Sequence, residues 1–80
     1  MKIGQAVALR IKELLSQKNM TIYKLEKESG VLHGTMSCIL YGRTKNVTLS
    51  TIIQISKGFD ITYKEFLNSP LMDESNLDVE

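Results

Sequence analysis

The sequence has one cysteine, one proline and no long apolar segment. The single thiol, Cys38, cannot form an internal disulfide, and an unpaired thiol suits a reducing compartment. No apolar run approaches the ~18 residues that a membrane-spanning helix needs, and residues 1–5 lack the apolar core of a secretory signal. These absences predict a cytoplasmic protein with no membrane segment.

The side chains of an enzyme are also missing. The chain has one histidine, His33, no nucleophile and base spaced to share a helix face, and no glycine loop that would cradle a phosphate. Its 80 residues leave room for one domain and too little chain for a deep pocket. His33 and Cys38 would lie about 140° apart around a helix, so they would not share a metal ion. We therefore expect no enzymatic activity, no cofactor and no metal site.

Charge is unevenly distributed along a chain whose formal net charge is +1. All ten Lys and Arg residues lie within residues 1–72, where they outnumber the acids by five. The last eight residues, 73–80, carry four acids and no base. A basic body with an acidic tail is compatible with binding a polyanion, although an ordinary solvated surface would have the same composition.

Helical spacing dominates the apolar pattern. Ile3, Val7, Ile11 and Leu14 follow the 3.6-residue period and predict a first helix. No segment of four to eight residues alternates as a strand with turn signals at both ends. An apolar content of 42% is normal for a globular chain, so we expect an all-α domain.

Three threonines are placed to begin later helices. Thr21, Thr48 and Thr62 each follow an apolar residue and precede another by four positions, as in a capped helix with a hydrophobic staple. Glu65 lies three residues after Thr62, which predicts a capping box at the last helix.

Residues that typically end helices follow each of the later predicted helices. Gly30 and Gly42 can adopt the left-handed conformation that ends a helix, Asp60 is a short polar residue at a similar point, and Pro70 ends the last helix. Beyond Met72 the chain is expected to be a loose acidic tail. The predicted helices cover residues 4–18, 22–29, 33–41, 49–59 and 63–68.

The helices on either side of Gly30 carry the functional signal. A short helix ends at this glycine, an apolar Val31 follows, and a second helix begins with Met36, Ile39 and Leu40 as its inward positions. Such a tight turn holds two helices at a steep angle, so that the outer face of the second can enter the major groove of DNA.

These residues resemble the Cro/repressor-type helix-turn-helix family, also called the XRE family. The resemblance runs from Ile3 to Leu67 and implies a compact five-helix bundle of the lambda-repressor-like type. Helices 2 and 3 would form the motif within a DNA-binding domain of residues 1–68, followed by an acidic tail of residues 69–80. The matching positions are Arg10 to Leu15, Leu25, Gly30, Val31, Met36, Ile39, Gly42, the apolar positions from Leu49 to Ile61, and Glu65 to Leu67.

The resemblance also implies which residues contact duplex DNA. Side chains and backbone at the start of the third helix would meet base edges, which supply sequence choice. These are Leu32, His33, Gly34, Thr35, Ser37 and Cys38. Other positions would meet phosphates, which set register and much of the affinity. These are Arg10, Thr21, Lys24, Arg43, Lys45 and Asn46.

Four positions depart from the family pattern. Ile22 replaces a common glutamine, and Glu26 occupies a site where alanine is usual, so its side chain must reach the surface or hold the helices apart. Leu32 lacks the oxygen of the usual Ser or Thr cap, a loss of ~1 kcal/mol. Gly34 costs ~0.5–1 kcal/mol within a helix. We expect operator recognition to depend on backbone positioning, apolar contacts and DNA shape.

One recognition helix reads few base pairs, so the resemblance implies a homodimer on half-sites ~34 Å apart. The dimer surface is predicted at the fifth helix and the start of the tail. Its members are Tyr63, Phe66, Leu67, Leu71 and Met72. Repression is the default function, because a bound domain blocks polymerase access. The alternative is a protein-interaction module, such as an antitoxin that binds a toxin or a regulator controlled by an anti-repressor.

Overall fold

The computed structural model describes residues 1–78 and contains the five helices that the sequence predicts. Their bounds differ from the predicted ones by at most one residue, which is within the ordinary variation of helix ends. The described residues contain no β-strand, and none of their helices has the length and apolarity to cross a membrane. The helices are α1 (Ile3–Gln17), α2 (Ile22–Ser29), α3 (His33–Leu40), α4 (Leu49–Gly58) and α5 (Tyr63–Leu67).

The three predicted threonine caps are confirmed. The hydroxyl oxygens of Thr21, Thr48 and Thr62 each accept a hydrogen bond from the backbone N–H three residues later, at 3.1, 3.2 and 3.1 Å. Each bond satisfies one N–H group that a helix start leaves without an intrahelical partner. Local side-chain chemistry therefore determines where α2, α4 and α5 begin.

Left-handed residues follow α1 to α4, as predicted for Gly30, Gly42 and Asp60, whose φ angles are 75°, 73° and 59°. At Gly42 and Asp60 the following N–H reaches back five residues, to Cys38 and Ser56, which is the bond of a Schellman motif. Asn19, with φ 50°, ends α1 in the same way and was not recognised from sequence. These endings fix the direction in which the chain leaves each helix.

The core lies where the apolar stripes of all five helices meet. Helix α3 packs on α1, α2 packs on α4, and α4 packs on α5. The predicted inward residues of α3, Met36, Ile39 and Leu40, are buried. Other buried members of the core are Val7, Ile11, Leu14, Leu15, Leu25, Val31, Ile52, Ile55, Phe59 and Phe66.

The prediction of a loose tail is wrong for residues 73–78. Pro70 begins a 3₁₀ turn, Pro70–Met72, that packs on α1, and a second turn covers Glu74–Asn76. Asp78 then pairs with the start of the chain, because its N–H donates to the carbonyl oxygen of Met1 at 2.8 Å. This docking joins residues distant in sequence, so no local pattern could have indicated it. Val79 and Glu80, the end of the predicted tail, lie outside the described residues.

Arg10 is a structural residue, and its predicted role as a phosphate contact is wrong. The residue is only 6% exposed. Its Nε donates to the carbonyl oxygen of Phe66 at 2.7 Å, Nη2 donates to that of Glu65 at 2.9 Å, and Nη1 pairs with the Glu13 carboxylate. These donors satisfy the Phe66 carbonyl at the end of α5 and add a second bond to the Glu65 carbonyl, which also accepts the N–H of Asn68. The guanidinium therefore ties α1 to α5 and has little exposed surface with which to contact a phosphate.

Phe66 likewise cannot serve in the predicted dimer surface. It has no exposed surface and belongs to the core, held there by the bond between its carbonyl and Arg10. Phe66 is the buried residue of α5, and its ring attaches this short helix to the core.

Replacing Arg10 by methionine tests its structural role. The change keeps much of the buried stem but removes the guanidinium hydrogen bonds to the Phe66 and Glu65 carbonyls and to Glu13. We expect the free energy of unfolding to fall by about 2–4 kcal/mol in urea denaturation. Arg10→Lys should recover little, because an ammonium group cannot present a planar fork to three acceptors. Lys64→Gln, at an exposed position on α5, is the control and should change stability by less than about 0.5 kcal/mol. An equally small effect of Arg10→Met would contradict the assignment.

Candidate nucleic-acid interface

The outer face of α3 brings together the six residues predicted to meet base edges. Leu32 is 76% exposed, the His33 side chain is 81% exposed, and Gly34 and Thr35 are also exposed. Ser37 and Cys38 are half-buried on the next turn. An α-helix with its side chains is about 10–12 Å across, which matches the ~12 Å width of the major groove.

The turn before α3 has the predicted geometry and the predicted weakness. Gly30 is left-handed, and Val31 is buried while Leu32 turns outward. The Ser29 hydroxyl accepts the N–H of Val31 at 3.2 Å and so stabilises the turn from the α2 side. Within the described chain, Leu32 gives α3 no side-chain cap, as expected. The start of α3 is therefore held by packing of Val31 and Met36.

Gly34 has no structural reason to be glycine. It does not have a positive φ, and a Cβ built on it would have no atom of the described residues within 4 Å other than its immediate neighbours and its own helix backbone. Inside a helix, glycine costs about 0.5–1 kcal/mol relative to alanine. No contact of the fold requires glycine here, whereas the missing side chain would let a ligand approach the α3 backbone closely.

The loop after α3 is held in place from both ends. The Schellman bond at Gly42 directs Arg43 out of the helix, and its guanidinium carbon lies 5.9 Å from the centre of the Tyr41 ring, a cation–π distance. Further along, the carbonyl oxygen of Lys45 accepts the N–H of Gly4 at 3.0 Å. The exposed side chains of Arg43, Lys45 and Asn46 thus project from an anchored loop.

Gly4 makes that anchoring possible and was missed by sequence reasoning. A Cβ at this position would lie 1.9 Å from the carbonyl oxygen of Thr44, closer than any side chain can approach. The start of α1 and the loop therefore touch backbone to backbone. A glycine at the start of a helix was the available signal, but its partner lies 40 residues away in sequence.

The start of α2 presents two more of the predicted phosphate contacts, Thr21 and Lys24, and both are exposed. Lys24 Nζ lies 2.9 Å from Glu28 Oε1. The hydrogen bond from Lys24, together with its charge, holds the pKa of Glu28 below its usual value. To contact a phosphate, Lys24 would have to give up the Glu28 carboxylate. This loss would lower the net contribution of Lys24 to the free energy of DNA binding.

Two grooves flank α3 and add polar groups that the sequence reasoning did not identify. A cleft of about 180 Å³ on the α1 and α2 side is lined by Lys12, Ile22, Glu26, His33, Ser37, Leu40 and Tyr41. On the α4 side, Thr51 and Gln54 line a groove with Leu32 and Thr35. Polar residues three apart on α4 were the available signal, but their proximity to α3 depends on packing of α2 against α4.

Glu26 has a specific partner in the structure. Its carboxylate lies between α2 and α3, with Oε2 2.9 Å from Nδ1 of His33, and its side chain is only 14% exposed. The unusual carboxylate is thus accommodated at the edge of the α2–α3 contact by pairing with the first residue of α3.

Two helices joined at a left-handed glycine, the second buried on one side and open on the other, define a helix-turn-helix. Residues 10–70 match the family of Cro/C1-type HTH DNA-binding domains. The chain belongs to this family. It is also similar to a solved structure described as the crystal structure of the prophage Lp1 protein 11, with 29% identity and a TM-score of 0.79. That similarity covers 92% of this chain and 99% of the other. No curated protein matches significantly.

Replacing Gly34 by alanine tests separately how this residue affects stability and how it affects DNA binding. We expect the free energy of unfolding to rise by about 0.5–1 kcal/mol, because alanine favours the helix and the added methyl group meets open space. If this face of α3 enters the groove, affinity for duplex DNA should fall at the same time, because the methyl group would lie between the helix and the bases. Thermal melts and fluorescence anisotropy measure the two quantities. Affinity that is unchanged or improved would contradict a close approach at Gly34.

Proposed function

We propose that this protein is a sequence-specific transcriptional regulator that inserts α3 into the major groove of duplex DNA and acts as a repressor. The observation that carries the proposal is the outer face of α3, which is exposed over its first turn on a frame that buries its inner face. The proposed base contacts are Leu32, His33, Gly34, Thr35, Ser37 and Cys38. We add Thr51 and Gln54 from the neighbouring groove.

The proposed phosphate contacts lie at the two ends of the motif. Thr21 and Lys24 lie at the start of α2, and Arg43, Lys45 and Asn46 lie in the loop after α3. A helix in the major groove has phosphate backbones on both sides, so cations at both ends are the arrangement that the duplex needs. With Arg10 removed from this set, the loop after α3 supplies most of the positive charge.

A homodimer is proposed because one α3 contacts too few base pairs for specific recognition in a genome. With Phe66 buried, the remaining surface is Tyr63, Leu67, Leu71 and Met72, which are partly exposed apolar residues along α5 and the following turn. Selection of bound sequences from a random duplex pool should yield an inverted repeat with half-sites about one helical turn apart. A single unrepeated half-site would contradict the dimer.

The second candidate is binding of a protein partner, such as a toxin or an anti-repressor, on the same face. The observation that favours it is the apolar surface around α3, where Leu32 and Tyr41 are 76% and 75% exposed and Ile22 is also exposed. Large exposed apolar groups are common at protein interfaces. This reading predicts little dependence of binding on salt.

Salt dependence of binding to a labelled duplex tests the proposal. Binding should weaken steeply with added salt, because lysine and arginine side chains that bind phosphates displace counterions from the DNA. Arg43→Gln and Lys45→Gln should each reduce the slope of log K against log salt by about one. Lys57→Gln is the matched control, because this exposed cation lies on the α4–α5 side of the molecule. Absence of binding at low salt would overturn the proposal. If the salt slopes of Arg43→Gln and Lys45→Gln equalled that of Lys57→Gln, the assignment of the loop after α3 to phosphate contacts would be overturned.

A further inference from the structure

The carboxylate of Glu26 and the imidazole of His33 join the two helices of the motif. His33 Nδ1 lies 2.9 Å from Glu26 Oε2. The Glu26 side chain is 14% exposed, whereas that of His33 is 81% exposed. The carboxylate is therefore fixed in the α2–α3 contact, and the ring it holds stands in solvent on the first residue of α3. The pair links a largely buried carboxylate to a residue at the proposed DNA surface.

The contact decides where the imidazole carries its proton. An ionised carboxylate only accepts hydrogen bonds, so Nδ1 of a neutral His33 must be the protonated nitrogen. Its Nε2 is then a hydrogen-bond acceptor. The two ring nitrogens point in diverging directions, so Nε2 points away from Glu26. When the ring gains a second proton, Nδ1 keeps its partner and Nε2 becomes a donor.

Groups of both charge signs surround His33. The cleft beside it is lined by Lys12 of α1, Glu26 of α2 and Tyr41 just after α3. The ring also lies at the N-terminus of α3, which is the positive end of the helix dipole. Of these groups, Glu26 is the one whose hydrogen-bond contact with the ring is present in the structure, so Glu26 holds the tautomer.

The two states of Nε2 match different base edges. An acceptor pairs with the amino groups of adenine N6 or cytosine N4 in the major groove. A donor pairs with the groove's acceptors, which are guanine N7 and O6, adenine N7 and thymine O4, and guanine presents two of them with no amino group in that groove. One side chain would therefore prefer different bases in its two protonation states, provided that the other nitrogen stays fixed.

We propose that Glu26 is a positioning residue that sets the base preference of His33. Through the Nδ1 contact, it makes His33 select an amino-bearing base when neutral and guanine when protonated, so that recognition at one base pair depends on pH. The proposal rests on the proposed function, because it assigns the specificity of the same α3 face. Glu26 acts through His33 and has no contact with DNA of its own.

The first test uses the free protein and needs no DNA. His33 is the only histidine in the sequence, so its ring ¹⁵N signals are unambiguous. In the wild type at about pH 8, these shifts should show a protonated Nδ1 and an unprotonated Nε2. In Glu26→Ala the two signals should move toward each other, because the tautomers interconvert. Glu28→Ala removes a carboxylate from the same helix and should leave them unchanged. Identical spectra for Glu26→Ala and the wild type would overturn the proposal.

The second test measures base preference. The base pair facing His33 is found as the position where His33→Ala loses discrimination, and all four base pairs are then compared there at about pH 5.5 and about pH 8. The wild type should favour an amino-bearing base at the higher pH by about 3- to 10-fold and move toward guanine at the lower pH. Glu26→Ala should lose this dependence. Glu28→Ala frees Lys24 and should raise affinity evenly while keeping the wild-type preference.

The outcomes separate the two proposals. If no variant binds duplex at low salt, the proposed function fails, and the ring ¹⁵N shifts still decide whether Glu26 holds the tautomer. If all variants bind and Glu26→Ala keeps the wild-type pH profile, the role of Glu26 is overturned while DNA binding stands. Thermal melts identify any loss of fold in Glu26→Ala. If that variant is unfolded, Glu26→Gln is used in its place, because it keeps the side-chain volume but not the charge.

Discussion

The buried guanidinium of Arg10 is the interaction on which the arrangement of the bundle depends. It joins α1 to the last turn of α5 and, through Glu13, to Ser69, whose hydroxyl donates to the same carboxylate oxygen at 3.3 Å. Helix α1 is also the surface on which α3 packs. The cation that sequence reasoning assigned to DNA thus stabilises the frame that presents α3. A charge buried at this depth stays favourable because each of the three guanidinium nitrogens has an acceptor.

The parts of the fold that were predicted correctly are those with local causes. A threonine hydroxyl caps the N–H three residues later, and a glycine in the left-handed region ends a helix, so neither needs knowledge of the rest of the chain. The same is true of the inward face of α3, which follows from the helical period. The turn at Gly30 and the outward residues of α3 were therefore predictable together.

The errors arise where the cause lies far away in sequence. Arg10 is buried because α5 returns to it from 55 residues away, and a lone arginine on a helix surface looks the same with or without such a partner. The tail docks because Asp78 meets Met1, and the loop after α3 is fixed because Gly4 meets Thr44. The position of Glu26 was recognised as unusual, but its partner, His33, became apparent only from the angle between α2 and α3.

The site that emerges is more polar than the sequence of α3 alone indicates. Its central residues, Gly34 and Cys38, supply little hydrogen bonding, but Tyr41 lies on one side and Thr51 and Gln54 lie on the other. In the proposed complex, the open centre would allow close approach of DNA, while His33 and the polar margins would contact bases.

The central claim is that α3 and the loop after it meet DNA, while Arg10 holds the frame behind them. The most direct measurement is a duplex titration followed by ¹H–¹⁵N correlation spectra that include the arginine Nε–H signals. The sequence has two arginines, so these signals report Arg10 and Arg43 separately. We predict shifts in the amides of residues 33–38 and in the Arg43 Nε–H, with the Arg10 signal unchanged. A shift at Arg10 with α3 unaffected would contradict the account.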